Sequence, residues 1–213
     1  MITKITIYLI ITAILAYLLG GLNGAIIASM TVFRKDVRNF GSGNAGLTNF
    51  TRIFGTKGAI IVLLVDILKT IGSVIFGGWL MGLVGYADLG RIFAGFCAML
   101  GHVYPIYYRF KGGKAVMCGG ILVWLIDWKI ALICWAIFLI IVIFTKYVSL
   151  GSILGSSFIP IGLWAFGYGW LEIVLGLLCA LLIIFAHREN IGRLIRGTES
   201  KLAIGGKGKS QEP

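Results

Sequence analysis

Residues 130–144 read IALICWAIFLIIVIF, an apolar run without a single charged side chain. A helix that rises 1.5 Å per residue needs about 20 such residues to cross the hydrocarbon core of a bilayer. Six further apolar runs accompany it, at residues 5–30, 58–84, 92–108, 115–126, 148–166 and 171–186. The pattern predicts an all-α polytopic membrane bundle of seven transmembrane helices. The runs at 92–108 and 115–126 are short and interrupted by glycine or proline. The alternative therefore stays open that they enter the membrane without crossing it completely.

The composition supports a membrane protein and excludes a soluble globular domain. Of 213 residues, 59% are hydrophobic and 13% are charged, whereas about a quarter of the residues in a soluble protein are charged. Lys and Arg number 19 against 8 Asp and Glu, a net charge of +11 that favours anionic partners. Because the basic residues interrupt apolar runs instead of forming a soluble face, we expect phosphates and membrane lipid as partners and no nucleic acid.

The positions of the basic residues predict the orientation. With seven crossings, fifteen of the nineteen Lys and Arg residues fall on one side and three on the other, with Lys69 inside a span. The positive-inside rule therefore places the N-terminus outside and the C-terminus in the cytoplasm. Residues 1–204 are expected to form a single integral membrane domain, followed by a flexible cytoplasmic tail at 205–213, GGKGKSQEP.

Three polar segments are candidates for chemistry, and this topology places all of them on the cytoplasmic side. The first, residues 36–52, reads DVRNFGSGNAGLTNFTR. Its glycines allow backbone amides to approach an anion, and its Arg offers a planar fork for phosphate oxygens. The alternative is a polar turn and helix cap with the Arg against lipid headgroups. The candidate residues are Gly41, Ser42, Gly43, Asn44, Thr48, Asn49 and Arg52.

The second segment, residues 101–114, reads GHVYPIYYRFKGGK. Lys111 and Lys114 flank Gly112 and Gly113, so two cations and two backbone amides could converge on one anion. The alternative is a positively charged loop that touches acidic lipid. His102 is either a substrate ligand or an interhelical hydrogen-bonding residue.

The third segment, residues 187–201, reads HRENIGRLIRGTESK and begins where the last apolar run ends. His187 and Asn190 are three residues apart and would share a helical face, with Glu189 as a further candidate ligand. Arg193 and Arg196 have the simpler interpretation of lipid anchoring.

Asp66 and Lys69 lie inside the second apolar run at i and i+3. An unpaired charge there is costly, so we expect a buried structural ion pair rather than a substrate role. The cysteines lie in apolar stretches without metal-ligand spacing, and no metal or cofactor is expected.

Taken together, the three segments resemble those of the bacterial acyl-phosphate:glycerol-3-phosphate acyltransferase family of integral membrane enzymes. They occur in the family's order and span residues 41–201. The chain departs from the family pattern at Ala115, where a glycine is common. If that backbone requires a positive φ, alanine costs about 1 kcal/mol there.

The resemblance implies a bacterial cell-membrane enzyme with a cytoplasmic active site. It would transfer a fatty acyl group from acyl phosphate to the 1-hydroxyl of glycerol 3-phosphate, giving lysophosphatidate and phosphate for phospholipid biosynthesis. The expected catalytic residues are then Ser42, Arg52, Lys114, His187 and Asn190. The proton of the attacking hydroxyl would be accepted by His187 or by a substrate phosphate. The residues alone leave open a transporter of small anions or organophosphates, since broken helices beside basic loops also suit transport.

Overall fold

The computed structural model describes residues 2–202, and within them the chain is helical with connecting turns and contains no strand. The expected boundary at residue 204 and the expected tail at 205–213 lie outside the described residues. The helices are α1 (Ile2–Gly20), α2 (Gly24–Val32), α3 (Leu47–Phe54), α4 (Ala59–Gly82), α5 (Ala87–Val103), α6 (Val116–Ile126), α7 (Trp128–Thr145), α8 (Val148–Ala165), α9 (Trp170–Ala186) and α10 (Arg188–Ile195).

The outer surface of the bundle is apolar, as lipid requires. Large hydrophobic side chains such as Phe144, at 81% exposure, and Trp164, at 72%, point away from the protein. Five helical segments are long and apolar enough to cross a membrane, and the bent pair α9 and α10 would make a sixth. At eleven residues, α6 is too short for that criterion. The all-α membrane fold is therefore confirmed, whereas the number of seven spans stays a prediction.

The first apolar run is two helices and not the single helix that its composition predicts. The chain breaks between Gly20 and Gly24, where the Asn23 side chain caps α2 by accepting a hydrogen bond from the amide of Ile26. Lys69 of α4 donates to the carbonyl of Leu22, a group that the break frees from helical bonding. Because Lys69, one of the polar side chains that satisfy the break, comes from a distant helix, local hydrophobicity did not reveal the break.

Close helix packing holds the bundle around α5. A Cβ atom on Gly20 of α1 would lie 2.1 Å from the carbonyl oxygen of Ala98, and one on Gly101 of α5 would lie 2.1 Å from that of Tyr17. These positions therefore require glycine, which lets the backbones of α1 and α5 approach closely. Such packing of small residues is expected between membrane helices.

Candidate active site

The three polar segments meet at one end of the bundle, around a cavity of about 340 Å³. The end of α9 and the starts of α3, α6 and α8 surround it. Exposed polar and charged side chains such as Ser42, Thr48 and Arg52 lie at its mouth. The interior between α6, α7 and α8 is lined by uncharged and largely apolar residues. The predicted residues that line the cavity are Ser42, Asn44, Thr48, Asn49, Arg52, His102, Lys114, His187 and Asn190.

Asn49 organises the first segment from within. Its side-chain oxygen accepts a hydrogen bond from the amide of Ser42 at 3.0 Å, and its Nδ2 donates to the carbonyls of Phe40 and Asn44. The side chain is buried, with its hydrogen-bonding capacity used by the loop. Gly41 adopts a φ of +59°, and a Cβ there would lie 2.4 Å from the Asn49 oxygen. Asn49 and Gly41 therefore shape the loop, and Gly41 and Gly43 do not line the cavity.

Ser42, Thr48 and Arg52 are the exposed groups that this loop and α3 present to the cavity. Thr48 and Arg52 are four residues apart on α3 and so occupy the same face. Within residues 2–202, no carboxylate pairs with Arg52. Its guanidinium is thus available to an anion that enters the mouth.

The second segment doubles back on the end of α5. The amide of Gly112 donates to the carbonyl of Val103 at 3.1 Å, and the amide of Gly113 donates to that of His102 at 3.0 Å. A Cβ on Gly113 would lie 2.3 Å from Nε2 of His102. Both amides are therefore occupied, and neither glycine lines the cavity. The expectation that these amides cradle an anion gives way to a packing role.

The structure separates the two lysines of this segment. Lys114 reaches the cavity, where its ammonium group donates to the side-chain oxygen of Asn190. Lys111 is exposed and lies in a different surface depression beside Arg38 and Arg109. Their expected convergence on one anion does not occur, because the tight loop between them turns the chain back toward α5. Ala115, the next residue, adopts a φ of +55°. The condition under which alanine is costly at this position, where glycine is common, is therefore met.

His102 belongs to a buried charged cluster with Asp66 and Lys69. The Asp66 carboxylate lies 2.8 Å from the Lys69 ammonium group, which lies 2.7 Å from Nδ1 of His102. The expected ion pair is confirmed, and the interhelical hydrogen-bonding role of His102 with it. Asp66 and His102 also line the cavity, so this cluster forms part of its wall.

His187 is buried at the bend between α9 and α10 and faces the cavity. Its Nδ1 lies 2.8 Å from the carbonyl oxygen of Ile183. A carbonyl can only accept, so Nδ1 carries the proton and Nε2 of the neutral ring is left as the acceptor. Burial, with a smaller contribution from the Lys114 cation, holds the pKa of His187 below its usual value despite the hydrogen bond to Ile183. The ring is therefore neutral at pH 7.

Glu199 connects the elements around the mouth, and the sequence analysis missed it. One carboxylate oxygen accepts from Ser149 of α8 at 2.7 Å and from Nδ2 of Asn190 at 2.6 Å, and the other accepts from Arg193 at 2.7 Å. Partial burial raises the pKa of Glu199, but these three hydrogen bonds outweigh it and hold the pKa below the usual range. Asn190 is thereby oriented with its amide toward Glu199 and its oxygen toward Lys114.

Glu189, the predicted acidic ligand, is exposed on α10 and does not line the cavity. Arg193, interpreted as a lipid anchor, lines the cavity instead. The sequence contained a signal for Glu199. It is a carboxylate in a segment with three arginines, one of which, Arg193, pairs with it. The glycine at 197, with a φ of +69°, turns the chain so that Glu199 returns over α10.

Burial also affects the pKa of Lys114. It lowers the pKa of Lys114 to about 8, and the Arg193 cation acts in the same direction. An entering phosphate would compensate both effects, because an opposite charge favours the cation. The mouth of the cavity thus holds three cationic groups, at Arg52, Lys114 and Arg193, of which Arg193 is already paired.

Comparisons with known proteins identify the family of the chain. The family model described as glycerol-3-phosphate acyltransferase matches residues 10–197. A glycerol-3-phosphate acyltransferase of Thermoanaerobacter pseudethanolicus is 40% identical over 92% of this chain and 96% of the relative. Glycerol-3-phosphate acyltransferase 2 of Bacillus anthracis is 37% identical over 91% and 98%. A crystal structure of PlsY (YgiH), an integral membrane glycerol 3-phosphate acyltransferase in its glycerol 3-phosphate form, matches with a TM-score of 0.81, at 33% identity over 92% and 96% of the two chains.

These matches favour an enzyme over the transporter that composition and helix breaks had left open. The family match runs from within α1 to the turn after α10 and covers the first two polar segments and the third as far as residue 197. The chain therefore belongs to the glycerol-3-phosphate acyltransferase family of integral membrane enzymes and is an acyltransferase of phospholipid biosynthesis.

Proposed function

We propose that the protein transfers a fatty acyl group from acyl phosphate to the 1-hydroxyl of glycerol 3-phosphate. One observation carries the proposal: a single cavity joins a cationic mouth to an apolar interior. Two phosphate-bearing substrates suit the mouth, and a hydrocarbon chain suits the interior. The products are lysophosphatidate and inorganic phosphate.

In this proposal Arg52 and Lys114 bind phosphate oxygens, with Ser42 and Thr48 as neutral donors at the same mouth. Asn190, held between Lys114 and Glu199, orients the reacting groups. The hydroxyl oxygen attacks the carbonyl carbon of acyl phosphate and a tetrahedral oxyanion forms. The bond from that carbon to the bridging oxygen then breaks, and phosphate leaves with the oxygen. Since phosphate is a good leaving group, positioning and charge stabilisation supply most of the acceleration.

The hydroxyl proton has two acceptors in this chemistry, Nε2 of His187 and an oxygen of the bound phosphate. The hydrogen bond from Nδ1 of His187 to Ile183 leaves Nε2 free to accept, which supports the imidazole. A His187→Gln variant separates the two. A large fall in kcat with KM preserved indicates the imidazole, and turnover close to wild type indicates the substrate phosphate.

We further propose that the chain crosses a bacterial plasma membrane seven times, with the N-terminus outside and the active site and C-terminus in the cytoplasm. Residues 1–204 would form one membrane domain. The start of α3, the start of α6, the start of α8 and the end of α9 all border one cavity. Because α6 and α8 both begin at this end of the bundle, the chain must leave it along α6 and return to it along α7. That path supports α6 as a crossing helix despite its length. Labelling of single cysteines at Lys57 and Lys111 from the cytoplasmic side tests the orientation.

The reaction is tested with purified protein in detergent, where no compartments exist for transport. We expect phosphate release and lysophosphatidate from dodecanoyl phosphate plus glycerol 3-phosphate, and neither product with dodecanoyl-CoA as donor. Transfer from the thioester with none from acyl phosphate would overturn the choice of donor. An Arg52→Ala/Lys114→Ala double variant that keeps full activity would overturn the phosphate-binding assignment.

A further inference from the structure

The interior of the cavity has a defined depth along α8. Ser149, Ser152, Ser156 and Ile159 line it at successive spacings of three, four and three residues, so they lie on one face of the helix. Ser149 stands at the mouth, where it donates to Glu199. From there to Ile159 the helix advances about 15 Å, at about 1.5 Å per residue. We call this inner part of the cavity the acyl slot.

The residues that line the acyl slot are uncharged, and the polar hydrogens of its serine and tryptophan side chains already form hydrogen bonds within the protein. The hydroxyl of Ser152 donates to the carbonyl of Val148 at 2.8 Å, and that of Ser156 donates to Ile153 at 3.0 Å, so both protons are used inside α8. The opposite wall is Gly120 of α6 and Trp135 of α7, joined by a hydrogen bond from the indole to the Gly120 carbonyl at 3.2 Å. None of the residues that α6, α7 and α8 contribute to the cavity is charged.

The slot ends at a buried floor. Val123, Cys134 and Ile159 line its far end, and each is at most 6% exposed. Behind them Ile130 and Leu163 belong to the same packed cluster and do not line the cavity. An alkyl chain that reaches Ile159 therefore meets tightly packed side chains and cannot continue straight.

From this depth and floor we propose that Ser152 and Ser156 determine which acyl-chain lengths the enzyme accepts, with Ile159 as the stop. The inference rests on the acyl-phosphate reaction proposed above. A C–C bond of about 1.5 Å advances an extended chain by about 1.3 Å, so the slot holds about a dozen carbons. Ser156 stands about 4.5 Å before Ile159, and Ser152 stands about 6 Å further toward the mouth.

The two serines predict a graded effect. A leucine at position 156 blocks the last turn of the slot and should remove room for about three carbons. A leucine at position 152 blocks it one turn earlier and should remove room for about eight. The ratio of kcat/KM between dodecanoyl and octanoyl phosphate should therefore fall about tenfold or more in Ser156→Leu, the loss expected when a few methylenes lose their buried site. Ser152→Leu should disfavour octanoyl phosphate as well.

Ser157→Leu is the matched control. Ser157 is adjacent on α8, also donates within the helix, to Ile153, and does not line the cavity. Its ratio between the two donors should equal that of the wild type. Because the readout is a ratio measured in one preparation, a loss of folded protein does not imitate the effect. Ser156→Val, a smaller change, should shift the ratio in the same direction if Ser156→Leu gives too little folded protein.

Equal ratios in wild type and both slot variants would overturn the inference while leaving the reaction intact. Absence of transfer from every acyl phosphate in the wild type would overturn the proposed reaction instead. A larger fall in kcat/KM for octanoyl phosphate, per amount of folded protein, in Ser156→Leu than in Ser152→Leu would also contradict the inference, because it would reverse the order of depth.

Discussion

The ammonium group of Lys114 donates a hydrogen bond to the side-chain oxygen of Asn190, 76 positions away, across the mouth of the cavity. The contact joins the second and third polar segments. Asn190 in turn donates to Glu199, which also accepts from Ser149 and Arg193. One cation is thus positioned by an asparagine that is itself held by a carboxylate, and the chemistry of the mouth depends on both.

Removing the Lys114 ammonium group should cost far more activity than removing that of Lys111. Lys114 lines the cavity, and loss of one preorganised donor to developing charge typically lowers the rate by about 10²–10³. Lys111 is exposed and outside the cavity, so Lys111→Ala should stay close to wild type. Steady-state acyl transfer in detergent measures both. Equal losses in the two variants would contradict the separation of the lysines.

Activity should fall as the pH rises through about 8, because Lys114 must be cationic to bind phosphate and its pKa lies near that value. A lysine is charged below its pKa, so the loss is on the alkaline side. Lys114→Arg keeps its charge throughout the range from pH 6 to 10, and its remaining activity should lack this alkaline limb. A profile of kcat/KM against pH, from 6 to 10, compares the two. An identical limb in Lys114→Arg would assign the titration to another group.

Neutralising Lys69 should lower the stability of the bundle. Lys69→Met leaves the buried Asp66 carboxylate without its partner, which typically costs about 3–5 kcal/mol. Thermal unfolding in detergent should show a clearly lower Tm. The double variant Asp66→Asn/Lys69→Met should lose less than Lys69→Met alone, since no unpaired charge remains. Lys57→Met, at an exposed position, serves as the control and should leave Tm unchanged.

Gly113→Ala should impair catalysis through the loop that carries Lys114. The new methyl group would lie 2.3 Å from Nε2 of His102 and 2.6 Å from the carbonyl oxygen of Ala45, so the loop must move. Because Lys114 is the next residue, we expect at least a tenfold lower kcat/KM, as displacements of about 1 Å at a reacting site can cost more than that. Gly72→Ala on α4, where a Cβ meets no atom within 4 Å, should keep full activity. Wild-type activity in Gly113→Ala would show that the loop position is unimportant.

Local patterns were enough to predict several parts of this protein. Several apolar runs predicted their helices to within a few residues, for example 115–126 against Val116–Ile126 for α6, whereas the run at 92–108 is displaced by five residues from Ala87–Val103 of α5. The Asp66 and Lys69 pair followed from a spacing within one helix and the cost of a bare charge in lipid. Each of these is decided within a few residues of the chain, where helical geometry and hydrophobicity act directly.

Contacts between distant segments were decided by the tertiary structure alone. Gly112 and Gly113 were expected to bind an anion, but their amides pair with the end of α5. Glu199 rather than Glu189 meets the site because the turn at Gly197 returns the chain over α10. The acyl slot exists because α8 packs beside α6, although α7 separates them along the chain, and no periodicity within either helix encodes that neighbour. The sequence by itself thus determined a basic helical membrane protein with three polar segments. Side-chain packing between segments far apart in the chain decided which of their residues share one cavity.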